Sequence, residues 1–334
     1  MSSKNILTDT FGRKHNYLRI SLTERCNLRC TYCMPAEGIQ LSPKESIMSY
    51  EEVYTIAKEF VHHGVTKIRL TGGEPLIRKD AALILEKLAS LPVELAITTN
   101  GVNVDRFINT FKDLGIQNIN VSLDSLNEEK FRHITRRNYF KKVHENIFKL
   151  IDHGFHVKLN CVLMKDFNED EIIDFIRLSE NHLIHTQFIE FMPFDGNKWN
   201  LDKLVSYDAL MERVYHEFSK EQVLRIADQP NDTSKNYQVK GYKGTFAIIS
   251  SVTNPFCDSC NRIRLTANGQ IKNCLFSSTE SDLLTPLRQG KSITPIIQKT
   301  VQAKFKSRGG MDTLEKLKDP TLHSKNRSMI TIGG

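Results

Sequence analysis

Residues 17–33 of the chain read YLRISLTERCNLRCTYC, a short β-rich run followed at once by three cysteines. Residues 17–22 have the composition of a strand, which predicts Cys26, Cys30 and Cys33 on the loop after it. The same alternation of a β-rich run with a longer helix-like segment continues through the first two thirds of the chain. The further runs span residues 67–71, 94–99, 118–123, 156–163 and 186–191.

Helix-like segments separate these runs, and the one at 49–63 begins with Ser49 and Glu52 at the spacing of a capping box. Strands joined by helical crossovers pair in parallel, so the pattern predicts an α/β fold with a partial (β/α)6 barrel of the TIM type. An open doubly wound sheet is the alternative that periodicity leaves open. The pattern changes after about residue 195, which predicts a barrel over 1–195 and a smaller C-terminal region over 196–334.

Either architecture places an active site at the C-terminal ends of the parallel strands. Polar or glycine-containing segments follow the predicted strands at this edge, and the loop of Cys26, Cys30 and Cys33 belongs to it. The segments are Thr71-Gly72-Gly73-Glu74-Pro75, Thr98-Thr99-Asn100-Gly101, Ser122-Leu123-Asp124 and Glu190-Phe191-Met192.

Composition favours a globular protein of the cytosol. The chain has 334 residues, of which 40% are hydrophobic, enough for a barrel and a smaller part. It shows neither a secretory h-region nor an apolar stretch of about 18 residues, so neither secretion nor a membrane location is expected. The formal charge of +7 favours an anionic partner without identifying it, and short basic stretches such as residues 306–310 are expected on the solvated surface.

Six of the seven cysteines form two trios. In a reducing cytosol these thiols are better interpreted as metal ligands than as disulfides, whereas Cys161, in an apolar alternation, is expected to fill the core. Three thiolates leave one metal position open for chemistry. A two-residue turn at Asn268-Gly269 would pair Ile263 with Cys274 and bring the second trio together. The first thiol trio is Cys26, Cys30 and Cys33, and the second thiol trio is Cys257, Cys260 and Cys274.

The spacing CxxxCxxC, with Tyr32 before its last cysteine, resembles the signature loop of radical S-adenosylmethionine (radical SAM) enzymes. The resemblance implies a 4Fe-4S cluster on the first thiol trio, whose open iron binds the methionine end of SAM. It also implies that Tyr32 lies beside the adenine, that Gly73 belongs to the methionine-binding turn, and that Ser122 and Met192 contact the ribose and adenine. A structural zinc loop is the alternative, but no histidine stands at ligand spacing from either trio.

The chain also resembles, from about residue 11 to its last residue, the GTP 3′,8-cyclase family of molybdenum cofactor biosynthesis. The motifs are residues 18–35, 68–80, 98–101, 120–125, 188–192, 257–274 and 332–334. The resemblance implies a second 4Fe-4S cluster on the second thiol trio, which binds the guanine of GTP. By the same resemblance, a 5′-deoxyadenosyl radical removes the C3′ hydrogen, the ribose radical attacks C8, and reduction of the resulting base radical gives 3′,8-cyclo-7,8-dihydro-GTP.

The resemblance further implies an electron donor, a downstream cyclic pyranopterin monophosphate synthase and a homodimer, with no nucleic acid partner. It carries over a set of GTP contacts, among which Arg262 and Arg264 also have a catalytic role. One position departs from the family pattern, because Gln187 stands where an arginine is usual. The implied GTP contacts are Arg19, Lys67, Arg69, Thr98, Lys158, Arg262, Ile263 and Arg264.

Composition alone would make the C-terminal residues a frayed end. The resemblance instead implies that Gly333 and Gly334 enter the active site and aid catalysis, so their deletion is expected to leave both clusters intact and abolish cyclisation. Two other functions are alternatives to this one. A peptide-maturing radical enzyme generally has more C-terminal cysteines, and a zinc-containing nucleic-acid-binding protein would be colourless.

Overall fold

The predicted alternation of strands and helices is present in the computed structural model, which describes residues 5–35 and 37–333. Helix α1 begins after Ser49, whose side chain accepts a hydrogen bond from the backbone N–H of Glu52 in the predicted capping box. The strands are β1 (Tyr17–Ser21), β2 (Lys67–Thr71), β3 (Glu94–Thr99), β4 (Asn118–Ser122), β5 (His156–Leu163), β6 (Ile184–Glu190), β7 (Val223–Ile226), β8 (Lys235–Val239), β9 (Thr245–Ile249), β10 (Arg262–Leu265), β11 (Gln270–Lys272) and β12 (Ser281–Asp282). The α-helices are α1 (Tyr50–His62), α2 (Ala81–Ala89), α3 (Ile108–Asp113), α4 (Glu128–Thr135), α5 (Phe140–Asp152), α6 (Ile172–Asn181), α7 (Tyr207–Gln222), α8 (Leu284–Arg288), α9 (Thr294–Gln302), α10 (Leu314–Lys318), α11 (Pro320–His323) and α12 (Met329–Ile332).

All these strands belong to one sheet, in the order β12-β11-β10-β1-β2-β3-β4-β5-β6-β9-β8-β7. Strands β1 to β6 pair in parallel and in sequence order, as in a singly wound barrel rather than a doubly wound sheet, in which the order reverses. The fold class is therefore confirmed. The C-terminal region adds one parallel strand on each side, β10 beside β1 and β9 beside β6. The division at residue 195 stays a prediction.

The two faces of the sheet differ in polarity. In β5, Val157, Leu159 and Cys161 are buried, whereas Lys158 and Asn160 on the other face are only half-buried. The buried face packs against helices and includes Cys161, as predicted. Strands β10 and β9 flank the parallel strands β1 to β6 on opposite sides of the sheet, yet residues from both line the same cavity. The sheet must therefore curve, and its polar face becomes the inside of a partial barrel.

The hairpin of β10 and β11 forms with a different register from the predicted one. Arg264 pairs with Lys272 and Leu265 with Ile271, so the two-residue turn and the pairing of Ile263 with Cys274 were wrong. A type I′ turn needs positive φ at both central residues. Only Gly269 has one, at 73°, and the chain makes a three-residue loop that shifts the pairing by one position.

None of the helices in the described ranges has the length and apolar character needed to cross a membrane. All seven cysteines are free thiols. The apolar core lies between the sheet and its helices, and a smaller cluster around Phe191, Trp199 and Phe276 packs beneath the C-terminal segments.

Candidate active site

The first thiol trio lies on the loop after β1, at the C-terminal edge of the parallel strands. Cys26, Cys30 and Cys33 line one cavity, the first-trio cavity. Backbone N–H of Leu28 donates to Cys26 Sγ at 3.4 Å, and Asn100 Nδ2 lies 3.6 Å from the same sulfur. Hydrogen bonds to sulfur stabilise a thiolate ligand, so the loop has the form of a ligand site.

The surroundings of the first thiol trio disfavour a free thiolate. Burial raises the pKa of Cys26 to about 11, and it raises the pKa values of Cys30 and Cys33 well above the usual range. A 4Fe-4S cluster binds each of its thiolate ligands through a different iron, so three cysteines on one loop leave one iron open.

The residues predicted to bind SAM lie around this cavity. Tyr32, Ser122 and Met192 line it, together with Gly72. Gly73 lies against the cysteine loop, where a Cβ atom would be 2.3 Å from the carbonyl oxygen of Arg25. Only glycine allows this approach of two backbone segments.

Two buried carboxyl groups that the sequence did not single out as site residues organise the same edge. Glu74 accepts hydrogen bonds from the backbone N–H of Asn100 at 2.6 Å and from Thr99 Oγ1 at 2.8 Å. Asp124 accepts one from the Tyr32 hydroxyl at 2.8 Å. Burial raises the pKa of Glu74 to about 7 and that of Asp124 to about 6. Their position directly after strands is the sequence signal that could have identified them.

The second thiol trio lines a second cavity, the second-trio cavity, beside the start of β10. Lys304 Nζ lies 3.5 Å from Cys260 Sγ, and the backbone N–H of Arg308 donates to Cys257 Sγ at 3.3 Å. Burial opposes ionisation of Cys260, but the charges of Lys304 and Arg262 outweigh it and lower the pKa of that thiol. The surroundings of Cys260 therefore favour a thiolate, whereas burial raises the pKa of Cys274.

Lys304 was not among the predicted site residues, and Arg308 was predicted to lie on the solvated surface with the rest of residues 306–310. That assignment was wrong for Arg308, which is 8% exposed and lines the second-trio cavity. Its guanidinium donates to the carbonyl oxygens of Val252 and Asp312. The local sequence does not indicate that Arg308 is buried, because its contacts with Val252 and Cys257 are with segments far away in sequence.

A third cavity, the cationic cavity, lies between the two trios. It shares Met192 and Met329 with the first-trio cavity, and Arg262 and Arg264 with the second-trio cavity. Most predicted GTP contacts face it. Its polar lining includes Tyr17, Arg19, Lys67, Arg69, Asn120, Lys158, Asn160, Gln187, Asp232, Thr233, Arg262 and Arg264.

Two predicted GTP contacts have other surroundings than expected. Thr98 lines the first-trio cavity instead, and the Ile263 side chain is buried in the core. Lys67 lines the cationic cavity and also pairs with Glu94 at 2.7 Å. Gln187, in place of the usual arginine, is 3.5 Å from Asn120 Nδ2. The cavity therefore lacks a cation at this position.

Strand register places three arginines side by side, since Arg19 pairs with Arg69 on β2 and with Arg264 on β10. Burial and the neighbouring arginines lower the pKa of Arg19 well below its usual range, and burial also lowers that of Lys158. Burial alone would raise the pKa of Tyr17, but the surrounding arginines lower it to about 7. So much uncompensated positive charge favours an anionic ligand.

The C-terminal segment contributes residues to these cavities. Met329 of α12 lines the first-trio and cationic cavities, and Gly333 accepts a hydrogen bond from Arg264. A Cβ atom on Gly333 would lie 2.6 Å from Thr71 Oγ1. Gly334, the other residue predicted to aid catalysis, lies outside the described residues.

Comparison with known proteins agrees with this architecture. Residues 20–179 match the Radical SAM superfamily and residues 184–309 match Molybdenum Cofactor Synthesis C. The structure resembles the crystal structure of Streptococcus suis SuiB bound to S-adenosylmethionine with a TM-score of 0.58 and 16% identity, over 84% of this chain and 65% of that one. At this identity, the likeness shows the fold alone.

Curated relatives are similar over nearly the whole chain. The mitochondrial GTP 3′,8-cyclase of Arabidopsis thaliana is 45% identical over 99% of this chain and 84% of that protein. The GTP 3′,8-cyclase of Listeria monocytogenes is 39% identical over 98% of this chain and 99% of its own length. Human molybdenum cofactor biosynthesis protein 1 is 44% identical over 98% of this chain, which spans 51% of that protein. The chain therefore belongs to the radical SAM superfamily and, within it, to the GTP 3′,8-cyclase family of molybdenum cofactor biosynthesis enzymes.

Proposed function

We propose that this chain converts GTP to (8S)-3′,8-cyclo-7,8-dihydroguanosine 5′-triphosphate, with a 4Fe-4S cluster on each thiol trio. The observation that carries the proposal is the continuity of the three cavities. The cationic cavity adjoins the first-trio cavity at Met192 and the second-trio cavity at Arg264. One nucleotide can then meet a radical source at one end and a base-binding site at the other.

The first thiol trio would hold the cluster that the radical SAM family implies. When bound and reduced, this cluster and SAM supply a 5′-deoxyadenosyl radical that removes the hydrogen atom from C3′ of the ribose. Asp124 orients Tyr32 for the adenine, and the backbone at Gly73 is close enough to the cysteine loop to bind the methionine part. The chain's contribution is to fix the reacting atoms at close range.

The second thiol trio would hold a cluster with one iron open for guanine. Arg262 and Arg264 stand where the second-trio and cationic cavities meet, so they can contact the base and the phosphates together. Arg19, Arg69 and Lys158 would bind the triphosphate, for which arginine offers forked donors. Gly333 and the Met329 side chain close the cavity from the tail side and limit access of water to the radical.

The remaining partners belong to the same proposal. A low-potential electron donor must reduce the first cluster, and a cyclic pyranopterin monophosphate synthase would consume the product. A homodimer and a cytoplasmic location are proposed from the family and from the composition, respectively.

The proposal is tested with GTP deuterated at C3′, incubated anaerobically with the reconstituted protein, SAM and dithionite. We expect deuterium in the 5′-deoxyadenosine and a product in which C3′ is bonded to C8. Cys30→Ala serves as the control without radical formation. The proposal would be contradicted if a protein that holds both clusters formed 5′-deoxyadenosine without deuterium.

A further inference from the structure

Tyr17 lines the cationic cavity. On β1 it pairs with Lys67 of β2 on one side and with Arg262 of β10 on the other. Paired residues of parallel neighbours point to the same face, so a tyrosine stands between two cations. Its ring centroid is 5.7 Å from Lys67 Nζ and 5.6 Å from Arg262 Cζ, within the range of cation–π attraction.

The hydroxyl group of Tyr17 fixes a third cation. Arg69 Nε donates to it at 2.6 Å, and Arg69 Nη1 donates to the carbonyl oxygen of Ile97 at 2.9 Å. These two bonds hold the guanidinium plane in one orientation. The bonds that Arg69 makes to described residues start from Nε and Nη1, so Nη2 remains for a ligand.

Tyr17 does not fill the core. Its neighbours Leu18 and Ile20 are 0% exposed on the face covered by helices, while Tyr17 is half-buried and lines the cavity. A tyrosine suits this position, since in its protonated form the phenol accepts the Arg69 hydrogen bond without the full charge with which a carboxylate would compete against phosphate.

We infer that Tyr17 is a positioning residue for the triphosphate of the substrate, whose hydroxyl orients Arg69 and whose ring holds Lys67 and Arg262 on either side. The inference rests on the proposed function, because GTP is the anion in question. Because Tyr17 already holds these side chains in place, they lose less conformational freedom when the phosphates bind, which increases the affinity.

The surroundings of the Tyr17 hydroxyl also predict that GTP affinity depends on pH. Nearby cations lower the pKa of Tyr17 to about 7, and a bound polyanion must raise it again. GTP affinity therefore falls as pH rises above 7, because phenolate must regain a proton on binding. The charged groups around the ring are Arg19 on β1, Lys67 and Arg69 on β2, Arg262 and Arg264 on β10, Lys158 on β5 and Asp232 in the loop before β8.

The test compares Tyr17→Phe, which keeps the ring, with Tyr17→Leu, which removes it. Anaerobic calorimetry on cluster-loaded protein would measure the affinities for GTP and for guanosine between pH 7 and 9. We expect Tyr17→Phe to weaken GTP binding about ten-fold near pH 7 and to flatten its pH profile, with a larger loss for Tyr17→Leu. Guanosine affinity and iron content stay unchanged, and Tyr54→Phe on α1, outside the cavity, behaves as the wild type.

Equal GTP affinity and an equal pH profile for the wild type and Tyr17→Phe would overturn the inference. An equal loss for guanosine would also overturn it, because it would show a general structural role. Failure of the wild-type protein to bind GTP would instead contradict the proposed function, so the two failures are distinguishable.

Discussion

Arg264 Nη1 donates a hydrogen bond of 2.6 Å to the carbonyl oxygen of Gly333. The bond joins strand β10, which follows Cys257 and Cys260, to the C-terminal segment. A Cβ atom added to Gly333 would lie 2.6 Å from Thr71 Oγ1 and 2.8 Å from Ser21 Cβ, so this glycine packs against the ends of β1 and β2. The tail therefore connects the second thiol trio with the edge that carries the first.

Replacing Gly333 should separate the role of the tail from that of the clusters. In Gly333→Ala, the new Cβ would lie 2.6 Å from Thr71 Oγ1 at a φ of 83°, so the tail must move and the Arg264 contact is lost. We expect the turnover number to fall at least about ten-fold, equivalent to roughly 1.4 kcal/mol of activation free energy, with unchanged iron content. Gly241→Ala is the matched control, since Gly241 has the same φ of 83° and open space around it. Full turnover by Gly333→Ala would contradict a role of the tail.

The charge of Lys304 should raise the reduction potential of the second cluster. Lys304 is 5% exposed and lies 3.5 Å from Cys260 Sγ, and a nearby cation stabilises the more negative, reduced form. We expect Lys304→Gln to lower this potential by tens of millivolts, where roughly 60 mV corresponds to a tenfold change in a one-electron equilibrium. An anaerobic redox titration followed by electron paramagnetic resonance measures it, with exposed Lys306→Gln as the control. Equal potentials in both variants would show that Lys304 has no electrostatic role.

Adding a cation at position 187 should strengthen substrate binding. Gln187 lines the cationic cavity beside Asn120 and Asn160. In Gln187→Arg, the added charge faces the same anion as Lys158, so we expect a several-fold lower KM for GTP and a steeper salt dependence. Gln187→Met removes the amide without adding charge, and it should leave the salt dependence unchanged. An unaltered KM in Gln187→Arg would mean that the triphosphate lies elsewhere.

A half-buried histidine, His185, should make the fold sensitive to acid. His185 contacts Thr245 Oγ1 at 2.6 Å, and burial, with a smaller effect of Lys158, lowers its pKa to about 3. The unfolded chain takes up this proton near pH 6.5, but the folded chain does not, so the free energy of unfolding falls as pH decreases. For one such group, the loss is about 2 kcal/mol between pH 7.5 and pH 5.

His185→Gln keeps a hydrogen-bonding group at this position but cannot titrate. Anaerobic urea unfolding at several pH values should show the free energies of wild type and variant diverging by that amount. Parallel pH curves for the two proteins would contradict the assignment.

Much of the barrel could be predicted from local sequence. Strands such as β5 alternate buried and half-buried residues, and a period of two is visible without knowledge of partners. The addition of β9 and β10 to the edges of the parallel strands could not be predicted, since it depends on pairing between segments far apart in sequence. The hairpin register was missed because Asn268-Gly269 permits more than one turn, and only the loop conformation decides between them.

The site divides in the same way. Closely spaced cysteines and glycine turns such as Gly72-Gly73 give a local signal, so the motifs marked the residues around the first trio. Lys304, Arg308 and Tyr17 act through contacts with strands or loops far away in sequence. Their residue types alone are equally compatible with a solvated surface or with packing.

In the proposed function, the second thiol trio holds a cluster that binds the substrate base. Anaerobic iron and sulfide analysis, combined with electron paramagnetic resonance before and after addition of GTP, tests it most directly. We predict about eight irons per chain, a change in the second-cluster signal on adding GTP, and about four irons with no such change in Cys257→Ala/Cys260→Ala/Cys274→Ala. About four irons in the wild-type protein, or a second-cluster signal that GTP leaves unchanged, would contradict the claim.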